Sequence, residues 1–157
     1  MTGVEAEPLF EPQDEDFAAR VAASFARQSA MTTLGATLDE VTPGAVAIAM
    51  PFAAHFGQQH GFMHAGAVTT LLDSACGYAA LSLMAVGSGV LTIEFKASLL
   101  APAAGDRFVA RGRVVKAGRA VMFCEGVATA YGSDGAKQVA TLSATMMVVR
   151  DRPKIEG

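Results

Sequence analysis

Asp73 is the one charged side chain between Ala65 and Val86, and its neighbours are Leu71, Leu72, Ala75 and Cys76. Keeping a carboxylate among apolar residues is costly, and those neighbours do not suit an ordinary solvent-facing helix surface. A carboxylate in that position can deprotonate a water or attack an electrophilic carbon itself. The other candidate groups read as quieter. His60 and His64 are four apart, as in a zinc-binding His-Glu-x-x-His helix, but the Glu is missing and Gly61 lies between them in a loop-like stretch, so no metal site is expected. His64 could act as a general base, but it better suits a structural role, its ring bonded to backbone where the loop enters a helix, and His55 carries no role. No Gly-x-Ser-x-Gly elbow is present, which argues against a serine hydrolase. Cys76 and Cys124 lack Cys-x-x-Cys spacing and read as packing residues with no disulfide.

The elements that must carry these residues follow from periodicity. Phe17, Val21 and Phe25 recur every four residues behind an acidic first turn, predicting an amphipathic helix from Asp14 to about Gln28. Thr32 to Val41 reads as a first strand, ended by Pro43-Gly44. Val46, Ile48 and Met50 then alternate in a second strand closed by Pro51. Gly66 to about Val86 is the segment long and apolar enough for a central helix, roughly 30 Å at 1.5 Å per residue. After Gly87-Ser88-Gly89, four strand-like runs follow: Leu91 to Leu99, Phe108 to Val115, Val121 to Tyr131 and Val139 to Val149. In the first of them Leu91, Ile93, Phe95, Ala97 and Leu99 alternate with Thr92, Glu94, Lys96 and Ser98, which places Thr92 in the polar register. The short breaks at 116–119 and 132–135 imply antiparallel hairpins. The order is α+β, satisfied by a curved antiparallel sheet wrapped around one long helix. The domain reading is a flexible acidic segment over residues 1–13, a single domain over 14–150 and a tail over 151–157.

The run Gln58-Gln59-His60-Gly61-Phe62-Met63-His64-Ala65-Gly66, with Asp73 seven residues on, resembles the signature of PaaI-type hotdog-fold acyl-CoA thioesterases. That signature reads Asn or Gln, two residues, Gly, two residues, His-Gly-Gly, then a helix bearing Asp. Gly89-Val90-Leu91-Thr92-Ile93-Glu94-Phe95, Leu100-Ala101-Pro102, Gly105 and Lys116-Ala117-Gly118-Arg119 keep the family's order, so the resemblance covers nearly everything after residue 30. It implies the hotdog fold and hydrolysis of an acyl-CoA without cofactor or metal. Ala65 departs from the pattern, standing where the family has the first glycine of the pair. The family uses that residue's N–H, which alanine retains wherever the backbone does not require positive φ.

Physical chemistry agrees with this resemblance. The first N–H groups of a helix are unpaired and lie at its positive end, so Ala65 and Gly66 could hold a developing oxyanion, with Gln58 adding a side-chain donor. His64 and Gly66 are assigned to substrate binding beside them. Thr92 stands where the family often places a water-positioning hydroxyl, though a plain surface threonine is an equal reading. Glu94 to Arg119 holds six basic residues against two acidic ones, which suits the phosphates of coenzyme A. Gly118 and Arg119 are the candidates there, a solvated hairpin charge being the alternative. Eight residues of helix separate Ala65 from Asp73 by roughly 12 Å, too far for one carbonyl to touch both. A site using both therefore needs two subunits meeting across a two-fold, and the resemblance implies such a homodimer, commonly paired into a tetramer.

Composition excludes other classes. The net charge of −3 and the lack of a basic run argue against nucleic-acid binding. An acidic N-terminus without an apolar stretch does not read as a secretory signal, so the expected location is cytoplasmic. Asp73 within the Ala65 to Val86 stretch argues for a helix buried in protein over a membrane span. Two alternatives stay open: a hydratase or dehydratase on the same fold, for which no histidine follows Asp73 at four or five residues, and a non-catalytic acyl-CoA-binding protein.

Overall fold

A computed structural model describes residues 10–157. The expectation for residues 1–9 lies outside the described residues. Phe10, within the segment expected to be flexible, packs against the core, and the Gln13 N–H reaches the Leu83 carbonyl at 3.4 Å. The amphipathic helix is α1, Phe17–Arg27, with Val21 fully buried and the Phe25 ring 5.9 Å from that of Tyr78. Asp14 to Asp16 form the turn before it, the Asp14 carboxylate accepting from the Asp16 N–H.

The expected strand from Thr32 begins later. Ser29–Leu34 forms a short helix, α2, because Met31 and Leu34, three apart, both turn inward, and Gly35 ends it in a left-handed conformation with φ 65°. Strand β1 is then Thr37–Thr42 and β2 is Ala45–Pro51. The central helix, α3, is Ala65–Leu81, five residues shorter at its end than expected. Its last turn is closed by tertiary contacts. The Arg20 guanidinium donates to the carbonyls of Ala85, Leu81 and Met84 at 2.7, 3.1 and 2.5 Å, and the Gly44 N–H donates to Ser82 Oγ at 2.8 Å. A cation among these carbonyls also complements the negative end of the helix dipole. Asp14 lies 3.3 Å from Arg20 Nε, so α1 is tied to the end of α3.

The remaining strands are β3 Gly89–Leu99, β4 Arg107–Ala117, β5 Val121–Gly132 and β6 Gly135–Val149. They complete a six-stranded, wholly antiparallel sheet of order β1-β2-β4-β5-β6-β3. The expected α+β hotdog architecture is observed, with α3 lying along one face of the sheet. At Gly112 an added Cβ would sit 2.4 Å from the Ala75 backbone, so α3 crosses β4 at a distance only glycine permits. Val46, Ile48 and Met50 turn to the helix as their alternation predicts, while Ala47 and Ala49 are buried on the opposite face with Val109.

Two consequences of the topology matter for the site. Strand β3 crosses to the far edge of the sheet, where it pairs only with β6 among the described strands. Its Leu91, Ile93, Phe95 and Leu99 are 45 to 59 % exposed. Residues 151–157 turn back through a single 3-10 turn at Pro153–Ile155, and the Ile155 carbonyl lies against Gly89, where a Cβ would meet it at 1.5 Å. No described helix is long and apolar enough to cross a membrane.

Candidate active site

Asp73 sits midway along α3, half-buried, and its Oδ1 accepts a hydrogen bond from the Thr92 hydroxyl at 2.8 Å. Strict alternation along β3 would not allow this. Thr92 pairs with the inward-facing Met146, but a β-bulge between Thr92 and Glu94 then shifts the register. Directly paired residues share a face. Thr92 therefore faces the helix with Phe95 and Ala97, whose partners Ala144 and Leu142 are buried, whereas Leu91 faces outward with Met147. The predicted polar register for Thr92 is corrected accordingly, since the extra residue of a bulge re-aims the side chains beside it. Asp73 and Thr92 line a cleft of about 200 Å³, bounded also by α1, by Gly77 and Leu81 of α3, and by residues 155–157. No histidine lines it.

Gln58 and Ala65 line a second cleft, of about 370 Å³, whose walls are Met63, Val68, Leu99, Leu100 and residues 101–103. The loop carrying Gln58 is held by its own backbone. The Gln58 N–H donates to the Phe62 carbonyl at 2.8 Å, and the Gly61 N–H to that of Gln58 at 3.0 Å, with Gly61 at φ 82°. Met63 and His64 N–H groups anchor the loop to the carbonyls of Ala103 and Phe56, each at 2.9 Å. His64 is the N-cap of α3, its Nδ1 accepting from the Gly66 N–H at 2.8 Å. That bond places the imidazole in its expected structural role and occupies the Gly66 donor. Among the described residues the Ala65 N–H has no acceptor, and Ala65 is helical, not in the positive-φ region. Alanine is unstrained there and leaves one free donor at the helix start.

Within one chain, then, Asp73 is bonded to Thr92 and Ala65 shares a cleft with Gln58, but the two pairs open into different clefts. Gly118 and Arg119 join neither. They form the β4–β5 turn, where Gly118 is required because a Cβ would fall 2.4 Å from the Val121 carbonyl. The Arg119 carbonyl accepts from Arg150 Nη1 at 2.8 Å, and both arginines border a groove lined also by Phe10, Gln13 and Leu83. Of the six basic residues between Glu94 and Arg119, Arg107 pairs with Asp39 and Arg113 with Glu125.

Sequence reasoning missed Ser24, Gln28, Ser74 and Tyr78, all of which line the Asp73 cleft. Ser74 and Tyr78 were detectable as polar groups beside Asp73 and one turn beyond it. Nothing marked Ser24 or Gln28. The Ser74 hydroxyl donates to Gln28 Oε1 at 3.2 Å. Burial raises the Tyr78 phenol above its usual range, opposed by the neighbouring Ser24 hydroxyl and by Arg27. Both cysteines are free and buried, as expected. Burial pushes Cys124 up to about 12 and Cys76 higher still, the latter aided by Cys124, Asp73 and Glu125. Neither thiol is a nucleophile at neutral pH. Among the described residues no cluster of His, Cys, Asp or Glu is placed to hold a metal.

Comparison with known proteins identifies the family. The family model of the thioesterase superfamily matches residues 60–135. A solved thioesterase family protein from Silicibacter pomeroyi is 48% identical, covering 85% of this chain and 98% of its own, with a TM-score of 0.84. A protein of Halobacterium salinarum that bears the name of an esterase is 30% identical over 118 residues, 71% of this chain and 78% of its own. The PaaI protein of E. coli, 20% identical, superposes over 87% of this chain and 96% of its own with a TM-score of 0.77, a likeness of fold. The chain belongs to the thioesterase superfamily, a thioester hydrolase with the PaaI-type form of the hotdog fold.

Proposed function

We propose that the protein hydrolyses an acyl-CoA to the free acid and CoA at a site shared between two copies of the chain. The hydrogen bond from Thr92 to Asp73 carries this reading, because it fixes a carboxylate at the wall of a cleft where a water can be held against it. Asp73 takes the proton of that water, whose oxygen bonds to the thioester carbonyl carbon. The Ala65 N–H and the Gln58 amide stabilise the oxyanion, the C–S bond breaks, and the thiolate leaves and is protonated.

The free edge of β3 supports the two-subunit arrangement. An eleven-residue edge strand that exposes Leu91, Ile93, Phe95 and Leu99 is a template for pairing with another chain. If two β3 edges pair antiparallel about a two-fold, the Gly89 end of one lies beside the Leu99 end of the other. The Asp73 cleft is lined by Gly89, Val90 and Thr92, and the Gln58 cleft by Leu99 and Leu100. That pairing therefore brings the Asp73 cleft of one protomer to the Gln58 cleft of its partner, and such dimers could pair again into a tetramer. Arg119, with Arg150, is the proposed contact for CoA phosphates. Thiol release from a panel of acyl-CoA esters by wild type and Asp73→Asn tests the proposal. Wild-type turnover that is lost in the variant supports it, and near-normal turnover by the variant overturns it.

A further inference from the structure

The Asp73 cleft extends past the catalytic carboxylate, and its size and lining describe what lies there. It follows α3 from Asp73 to Leu81, eight residues or roughly 12 Å, and closes against Ile155. Gly77 leaves its middle open, since a Cβ there would meet nothing nearer than Val90 at 3.9 Å. At about 200 Å³ it is modestly larger than a cavity of roughly 150 Å³ that takes up one benzene ring. The part of the site that one chain supplies here has room for a single ring or a short chain.

The lining is also unusually polar for an acyl pocket. Ser74, next to Asp73, donates to Gln28 Oε1, and this fixes the orientation of the Gln28 amide. Among the described residues the Gln28 amide nitrogen has no acceptor. The Tyr78 hydroxyl, with Ser24 beside it, lies on the same cleft one helical turn beyond Ser74. An acyl group that covers these polar atoms without bonding to them strips their hydration, which penalises a purely hydrocarbon occupant.

Building on the shared-site reading above, we propose that Gln28, oriented by Ser74, is a specificity-determining residue that accepts a short acyl group bearing a distal hydroxyl or other hydrogen-bonding oxygen. Gln28 lies where α1 gives way to α2, outside the segment matched by the family model. The prediction concerns ratios of kcat/KM within matched pairs, butyryl-CoA against hydroxybutyryl-CoA and benzoyl-CoA against hydroxybenzoyl-CoA, with palmitoyl-CoA as the long-chain probe. Wild type should prefer the hydroxylated member of at least one pair by roughly tenfold, about the value of one hydrogen bond in discrimination, and turn over palmitoyl-CoA least. Gln28→Leu should bring that ratio to near one. Should Gln28→Leu fail to fold, Ser74→Ala reads the same quantity by releasing the amide from its orientation.

Equal wild-type rates within both pairs, a preference that survives in the variant, or palmitoyl-CoA as the best substrate would each overturn the assignment. Thiol release that vanishes in Asp73→Asn yet ignores the hydroxyl would overturn this inference and leave the catalytic one standing. A wild-type protein that releases no thiol from any ester overturns both.

Discussion

The cleft around Gln58 and Ala65 and the cleft around Asp73 and Thr92 are built by different means. The first is local: one loop bonds to itself, caps α3 through His64 and leaves the Ala65 N–H and the Gln58 side chain available. The second draws on three distant parts of the chain, with the junction of α1 and α2 supplying Gln28, α3 supplying Asp73, and β3 supplying Thr92 through a bulge. A donor site can be encoded in a short motif because unpaired amides come with any helix start. Positioning a carboxylate and shaping a pocket require surfaces that meet only on folding. The donor cleft should thus tolerate changes in packing elsewhere, and the Asp73 cleft should not.

The largest expected effect is at Asp73. Asp73→Asn keeps the shape but removes the proposed base, and steady-state thiol release should fall by roughly a hundredfold to ten-thousandfold. Next in size, Gln58→Ala removes one proposed oxyanion donor and should lower kcat by roughly a hundredfold or more. Mixing these two impaired variants is the decisive test of whether the clefts cooperate across subunits. After co-refolding, mixed dimers carry one intact site, and activity should recover to roughly a quarter of wild type. No recovery would place both clefts' chemistry within one chain and break the comparison.

Arg20→Ala removes the largely buried partner of Asp14 and uncaps three carbonyls at the α3 end. A loss of about 3 kcal/mol is expected in urea melts, with the wall formed by α1 loosened while the Gln58 loop is spared. Thr92→Val should cost about tenfold in kcat, the worth of one hydrogen bond to a charged group, without changing the fold. The smallest effect concerns the thiols. Because burial raises both cysteines, Cys124 to about 12, they stay protonated well above pH 8.5, the ordinary free-thiol range. A thiol reagent at pH 8 should label them only after denaturation.

Much of this was legible from residue order. Strand periodicity located β2 to β6, and the hairpin turns at 116–119 and 132–135 fell where Gly and charged residues cluster. The Ser29–Leu34 helix was not legible, because Thr32 and Thr33 favour strands and six residues give too short a window for a helical period. The end of α3 was missed because apolar residues continue to Val86, while Arg20, from another helix, supplies the cap.

The candidate site divides along the same line. The chain order by itself determined which groups can react: a lone carboxylate in an apolar helix, a Gln-bearing loop, and free amides at a helix start roughly 12 Å from that carboxylate. These are properties of composition and helical rise, which no packing alters. Only the tertiary structure decided that Ala65 adopts unstrained helical backbone, that His64 occupies the Gly66 amide, and that a bulge turns Thr92 toward Asp73. The physical reason is that a one-residue change in strand register reverses every side chain beyond it, and that register is set by contacts between segments far apart in the chain.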